Sequence, residues 1–294
     1  MMKRSDFLKT IAMGSLTIPF TKLSDLRRLR EISPDTERMP MLFIGHGNPM
    51  NAIEDNAFRR SWNKLGKTLP KPKAILTISA HWITRNSTKV TAMKAPKTIH
   101  DFGGFPQELF DQQYPAPGSA ELAQDVIKMV QKTHVEEDHQ WGLDHGTWSV
   151  LKPMFPDADI PVIQLSLDYG KPMEYHFQIG QEIKKLREKG VLVIGSGNIV
   201  HNLRKMNMSG VTSDWALEFD QFVANNLIDR NFKAITDFQN LGSLAQIAHP
   251  SYDHFLPLIY NLGSIYNDDE IKFFNDSFDL GTISMRSVLV SKQI

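Results

Sequence analysis

The chain contains ten histidines and no cysteine. Without thiolates, a transition metal can be held only by imidazole or carboxylate groups. Three histidines follow apolar runs. Residues 42–49, "LFIGHGNP", place His46 between Gly45 and Gly47. "LTISAHW" carries the apolar run 74–80 into His81, and "LVIGSGNIVH" carries Val191–Gly197 into His201. A neutral imidazole is both a metal ligand and a proton carrier near neutrality. Ligands of α/β sheets gather beyond the carboxyl ends of strands, so histidines in three equivalent positions predict one common centre. Gly45 and Gly47 would allow a tight turn and a close approach of the backbone.

The other histidines divide by context. His254, in "HPSYDHFLPLIYNLG", is expected in the first turns of a buried helix, as either a core residue or a ligand, with His249 as its competitor. His145 lies between Gly142 and Gly146 in "WGLDHGTWSVL", where loop packing and substrate contact are both open readings. His100, before Gly103-Gly104, suits a pocket rim. His176 is expected to pack, and His134 and His139 to be solvated. Among carboxylates, Asp144, Asp253 and Glu54 stand near the candidates and suit hydrogen bonding to a ligating imidazole.

Apolar runs rich in Ile, Leu and Val at Met41–Gly45, 74–80, 162–167 and Val191–Gly197 are continuous rather than alternating, as in strands covered on both faces. Residues 89–93 and 283–290 predict further strands. Amphipathic stretches at 57–69, 119–133, 173–189 and 214–229 predict helices between them, with Ser119 as a cap. Residues 207–213 read as a surface loop. The alternation predicts a single α/β domain over residues 39–294, with a central mostly parallel or mixed sheet flanked by helices. The metal site is expected at the C-terminal ends of its strands.

Lys+Arg and Asp+Glu both number 33, which argues against partners recognised by a broad basic field, such as nucleic acid or an anionic membrane surface. No segment is apolar enough for a membrane span. The opening "MMKRSDFLKTIAMGSLTIPF" resembles a twin-arginine export signal with Ser5 in place of the second arginine. Residues 1–38 are therefore expected to be an extension outside the fold. The location would be cytoplasmic by default and periplasmic if that segment functions. There is no G-x-S-x-G elbow, Walker motif or HExxH helix, and "GSGNIV" lacks the third glycine of a nucleotide turn.

Seven segments in order, "LFIGHGNPMN", "SAHW", "TIHDFGGFPQELFDQQYPAPG", "WGLDHGTWSVL", "QLSLD", "GSGNIVHNL" and "HPSYDHFLPLIYNLG", together resemble the class III extradiol ring-cleavage dioxygenases, in the 4,5-DOPA dioxygenase-like branch. The resemblance implies O2-dependent opening of a catechol such as L-DOPA to a semialdehyde, with one divalent metal ion per chain. It implies His46, His81 and His254 as metal ligands, and His201 as the catalytic histidine that also contacts the metal in the resting site. It makes His145 a catalytic pocket residue. Many ring-cleaving enzymes use two histidines and a carboxylate; here a histidine takes the carboxylate's place. Fe(II) is the metal for ring cleavage, and an all-histidine set also suits Zn(II). Trp82, Phe102 and Trp148 are expected to form an aromatic rim.

Two other functions use the same residues differently. A zinc hydrolase would activate water at the three-histidine site and turn over without oxygen. A non-catalytic interaction protein of the same fold would need none of the histidines, and all of them are present.

Overall fold

The continuous apolar runs become the centre of one sheet. A computed structural model describes residues 38–292, so the extension expected over 1–38 lies outside them except for Arg38, which pairs with Asp268 and Asp269. Strands β1 (Met41–Gly45), β2 (Ala74–Thr84), β5 (Val162–Asp168) and β6 (Val191–Gly197) pair in parallel in the order β5-β2-β6-β1. Strands β3 (Thr88–Thr91) and β4 (Val135–Asp138) extend one side. On the other, β10 (Ser287–Lys292) and β7 (Asp269–Phe274) run antiparallel. The result is a mixed eight-stranded sheet ordered β4-β3-β5-β2-β6-β1-β10-β7. Strands β8 (Phe278–Asp279) and β9 (Ile283–Ser284) form a separate pair.

Alternate residues of β1 serve opposite cores. Met41 and Phe43 join the cluster under helices Ala120–Met129, Met173–Ile183, Asp214–Ile228 and Leu256–Gly263. Leu42 and Ile44 join the cluster under helices Ala57–Thr68 and His145–Met154. With both faces covered, an alternating polar pattern has no place in these strands. Ser119 caps its helix as expected, its hydroxyl accepting from Leu122 N at 3.1 Å.

The structure departs from several expected boundaries, and the helix expected at 119–133 ends at Met129. The second strand does not stop at residue 80 but runs through His81 to Thr84. Its pairing with β5 slips between Ile78↔Leu165 and Ile83↔Leu167, so an irregularity sits beside His81. Such irregularities re-aim side chains at sites. The strand expected at 283–290 is split into β9 and β10, and the helix expected at 173–189 finishes as a 3-10 segment, Lys184–Lys189. Among the described residues no helix is long and apolar enough to cross a membrane.

Candidate metal centre

The C-terminal ends of the parallel strands bring five imidazoles together. His46 directly follows β1, and its N–H donates to Gly197 O at 3.0 Å, extending the β1–β6 pairing by one bond. His81 projects from β2 at the irregularity. His145 is the first residue of helix His145–Met154 rather than part of a turn; Asp144 caps that helix, accepting from Thr147 N at 3.1 Å. Gln164 of β5 holds Asp144 through two hydrogen bonds, of 3.0 and 2.8 Å. His254 precedes helix Leu256–Gly263 instead of lying within it. Its carbonyl accepts from Asn198 N at 2.9 Å, just past β6. A Cβ on Gly197 would collide with that carbonyl, so only glycine lets the His254 segment lie against the strand end. Gly47 has φ +56, a conformation that favours glycine, and packs on Met285.

His46, His81 and His254 form a near-equilateral triangle, with ring centroids 5.1, 5.2 and 5.0 Å apart. His145 approaches the same His46–His81 edge, at 5.8 and 3.8 Å. Ligating nitrogens of His46, His81 and His145 all lie within 4.8 Å of one another. His201 stacks flat on His254, with centroids 3.5 Å apart and planes 5° apart. His46, His145 and His254 are buried, whereas His81 and His201 are partly exposed. The cluster therefore opens to solvent on the side of those two.

Hydrogen bonds fix which nitrogen faces the centre. The Ser196 hydroxyl donates to Gly146 O at 2.5 Å, so its oxygen must accept from His46 Nδ1–H, 3.0 Å away. His254 Nδ1–H donates to Asp253 at 2.7 Å. Both residues thus present an Nε2 lone pair. His46 Nε2 and His81 Nε2 stand 3.2 Å apart, close to the separation of about 3.4 Å that two ligands 2.0–2.1 Å from a tetrahedral ion would adopt. The donor atoms of His46, His81 and His145 lie close enough together to fit one divalent ion.

Burial, reinforced by neighbouring imidazoles, keeps His46, His81, His201 and His254 neutral. His46 and His254 are held well below 6.5, His81 at about 3 and His201 at about 4, with Asp253 partly opposing the shift in the last two. His176 and His249, in apolar surroundings, also lie at about 4. The folded metal-free chain therefore binds fewer protons than the unfolded chain below pH 6.5, and its stability is lost as pH falls from 6.5 towards 4. A urea midpoint that drops steadily over this range, with unchanged slope, is the expected result.

The remaining histidines do not join the centre. His249 Nε2 donates to Ile199 O at 2.7 Å, and its ring packs among Phe219, Phe238 and Phe255, so it is a core residue. His176 pairs with Tyr260 OH, and His100 with Gln112 O. His134 and His139 are exposed. Of the expected hydrogen-bonding carboxylates only Asp253 serves a site imidazole. Asp144 is a helix cap, and Glu54 is exposed. The carboxylate that sequence reasoning missed is Asp101, whose Oδ2 lies 3.0 Å from His145 Nδ1 and 3.4 Å from His81 Nδ1. Partial burial raises its pKa, but His145 and His81 outweigh that and hold it at about 2. Its signal was its place in "TIHDFGG", between a histidine and a double glycine. Of the three rim aromatics, Phe102 meets a site imidazole, edge-on to His145 at 5.5 Å. Trp82 stacks on Trp141, and Trp148 is buried with its indole N–H on Ile99 O.

Residues 40–290 match the family model described as the catalytic LigB subunit of aromatic ring-opening dioxygenase. The chain is 45% identical over 269 residues to a 4,5-DOPA dioxygenase extradiol of Escherichia coli (strain K12), a match covering 89% of this chain and 98% of that one. It is 37% identical to a protein of the same name from Beta vulgaris, over 83% of this chain and 94% of the other. The crystal structure of uncharacterized protein JW3007 from Escherichia coli K12 superposes with a TM-score of 0.75 at 41% identity, covering 86% of this chain and 99% of that one. With its histidine cluster at the strand ends, the chain belongs to the LigB family of class III extradiol ring-opening dioxygenases, in the DOPA dioxygenase-like branch.

Proposed function

We propose that this enzyme opens a catechol next to its diol with O2, using one divalent ion held by Nε2 of His46, His81 and His254. The observation that carries this reading is the convergence of those imidazoles with the Nδ1 atoms of His46 and His254 engaged on the outer side. A carboxylate on Nδ1, the usual partner of a metal-bound imidazole, stands beside both His254 and His145, and the donor atoms of His145 also lie near those of His46 and His81. His254 is preferred as the third ligand because its Nδ1–H is hydrogen-bonded to that carboxylate and its segment matches the family's ligand histidine. His145 instead begins a helix, whose N-terminal dipole disfavours added positive charge. Bound Fe(II) would supply the redox chemistry that lets O2 attack the ring; Zn(II) suits the same donors but lacks it.

The protein's own groups handle the protons. His201, stacked beside His254 and neutral, would accept a proton from a catechol hydroxyl and return it as the ring opens. His145, under Phe102, faces the substrate. The direct test is anaerobic loading with Fe(II), then addition of L-DOPA and air, followed by the visible absorbance of a ring-opened semialdehyde. Absorbance that rises only after air is admitted, and only in the iron-loaded sample, is the expected result.

The names of the relatives make L-DOPA the first substrate to try. Arg85 follows the end of β2, four residues beyond His81, and is exposed. It lies near Tyr169, whose ring stacks on Tyr252 at 4.6 Å, adjacent in sequence to Asp253 and His254. If Arg85 binds the substrate carboxylate, kcat/KM for L-DOPA should exceed that for dopamine and 4-methylcatechol by about tenfold, the worth of one modest charge-assisted bond. Arg85→Ala should remove the difference, and Arg204, exposed after His201, provides the control. Equal values for all three substrates would mean that the pocket reads only the ring and its diol.

A further inference from the structure

Asp101 lies on the loop between β3 and the short helix Gln107–Phe110. Its Oδ1 accepts the backbone N–H of His145 at 2.8 Å. Its Oδ2 faces two Nδ1 atoms, that of His145 at 3.0 Å and that of His81 at 3.4 Å. His145 Nδ1 is buried and makes no hydrogen bond of good geometry, so its contact with Asp101 is one of close approach and charge. A second contact presses the two imidazoles together: a Cβ at Gly146 would come within 2.9 Å of His81 Cδ2, so glycine there lets the helix start close on the His81 ring. An ionised carboxylate only accepts hydrogen bonds. An Nδ1 this close to such an oxygen is stabilised as N–H rather than as a lone pair, which favours the lone pair on Nε2 in both rings. For His81 this is the nitrogen 3.2 Å from His46 Nε2.

We propose that Asp101 is a positioning residue that sets the tautomers of His81 and His145 together. A metal ligand and the substrate-facing imidazole then both present Nε2 lone pairs. The proposal rests on the reading of His81 as a ligand. It makes His145 a hydrogen-bond acceptor towards the substrate in the resting site, and it ties the ligand's orientation to a loop that also carries Phe102. The tie is asymmetric. His145 is bound through its backbone N–H and has the shorter ring contact, so the loop follows the helix start, whereas His81 has only the longer contact and is the first to be released.

The test uses 15N-histidine-labelled protein and two readouts that involve neither catechol nor oxygen, so they stand apart from the test of ring cleavage. Long-range 1H–15N spectra of the metal-free wild type should show both rings as the Nδ1–H tautomer, with the signals assigned through His81→Gln and His145→Gln. In Asp101→Asn the single amide oxygen cannot serve all three N–H groups. At least one ring, His81 first, should shift towards the Nε2–H form. Competition with a chelator should then show Co(II) affinity lower by about 10–100-fold, with circular dichroism unchanged. An Nε2–H tautomer at either ring in the wild type would overturn the proposal without recourse to any variant. So would a folded Asp101→Asn protein with wild-type spectra and wild-type Co(II) affinity.

Discussion

Alanine at His46, His81 or His254 is expected to abolish bound metal and turnover together while leaving the α/β domain folded. Three imidazoles are the minimum set for a tight site with positions left open to substrate, and two of them cannot hold the ion against buffer. The domain should survive because these residues lie at the strand ends, outside the two apolar clusters that fill the faces of the sheet. Loss of His46 also leaves Ser196 with its stronger partner, the carbonyl of Gly146. Removal of a buried imidazole still leaves a cavity, so a cost of about 1–3 kcal/mol is expected. Elemental analysis and circular dichroism of the purified variants decide the matter. Full occupancy in His254→Ala would transfer its role to His145, which shares the His46–His81 edge. His249 cannot inherit it, because its Nε2 is bound to Ile199 O inside a phenylalanine cage.

His201→Ala should separate chemistry from metal binding. The variant is expected to keep its metal and to lose about 10²–10⁴-fold in kcat, the usual contribution of a general acid–base group. The stacking on His254 adds a second expectation. Without that ring, His254 loses one wall of its position, so metal affinity should soften slightly but the metal should remain bound. Stopped-flow turnover beside metal analysis distinguishes the cases. Wild-type kcat would remove His201 from the mechanism, and loss of the ion would make it a fourth ligand.

Much of this arrangement was legible in the sequence because buried parallel strands leave a strong mark. Met41–Gly45 and Val191–Gly197 read as uninterrupted apolar runs, and the histidines after them fell where ligands of such sheets gather. The outer strands were harder to see. β4 and β7 form the two edges of the sheet, and their sequences, "VEED" and "DEIKFF", carry the charges that protect an edge from further pairing. The position of His81 within a strand was hidden for another reason. The register slip that re-aims it depends on how β2 meets β5, which is not a local property. Asp101 was missed because only folding brings it to His145, 44 residues later. In one sequence a lone aspartate two residues before a double glycine reads as an ordinary turn residue. Asp144 shows the converse: it neighbours a site histidine in sequence and serves as a helix cap.

Both atoms of O2 are expected to enter the ring-opened product at an iron-loaded histidine site. Turnover of L-DOPA by Fe(II)-loaded protein under 18O2, with mass spectrometry of the product trapped before its aldehyde exchanges oxygen with water, tests it most directly. Two labelled oxygens per product, one O2 consumed per ring opened, and no product under nitrogen are the expected result. Product formed without oxygen by the zinc-loaded protein, with label taken only from H2 18O, would contradict it and assign the same three histidines to hydrolysis.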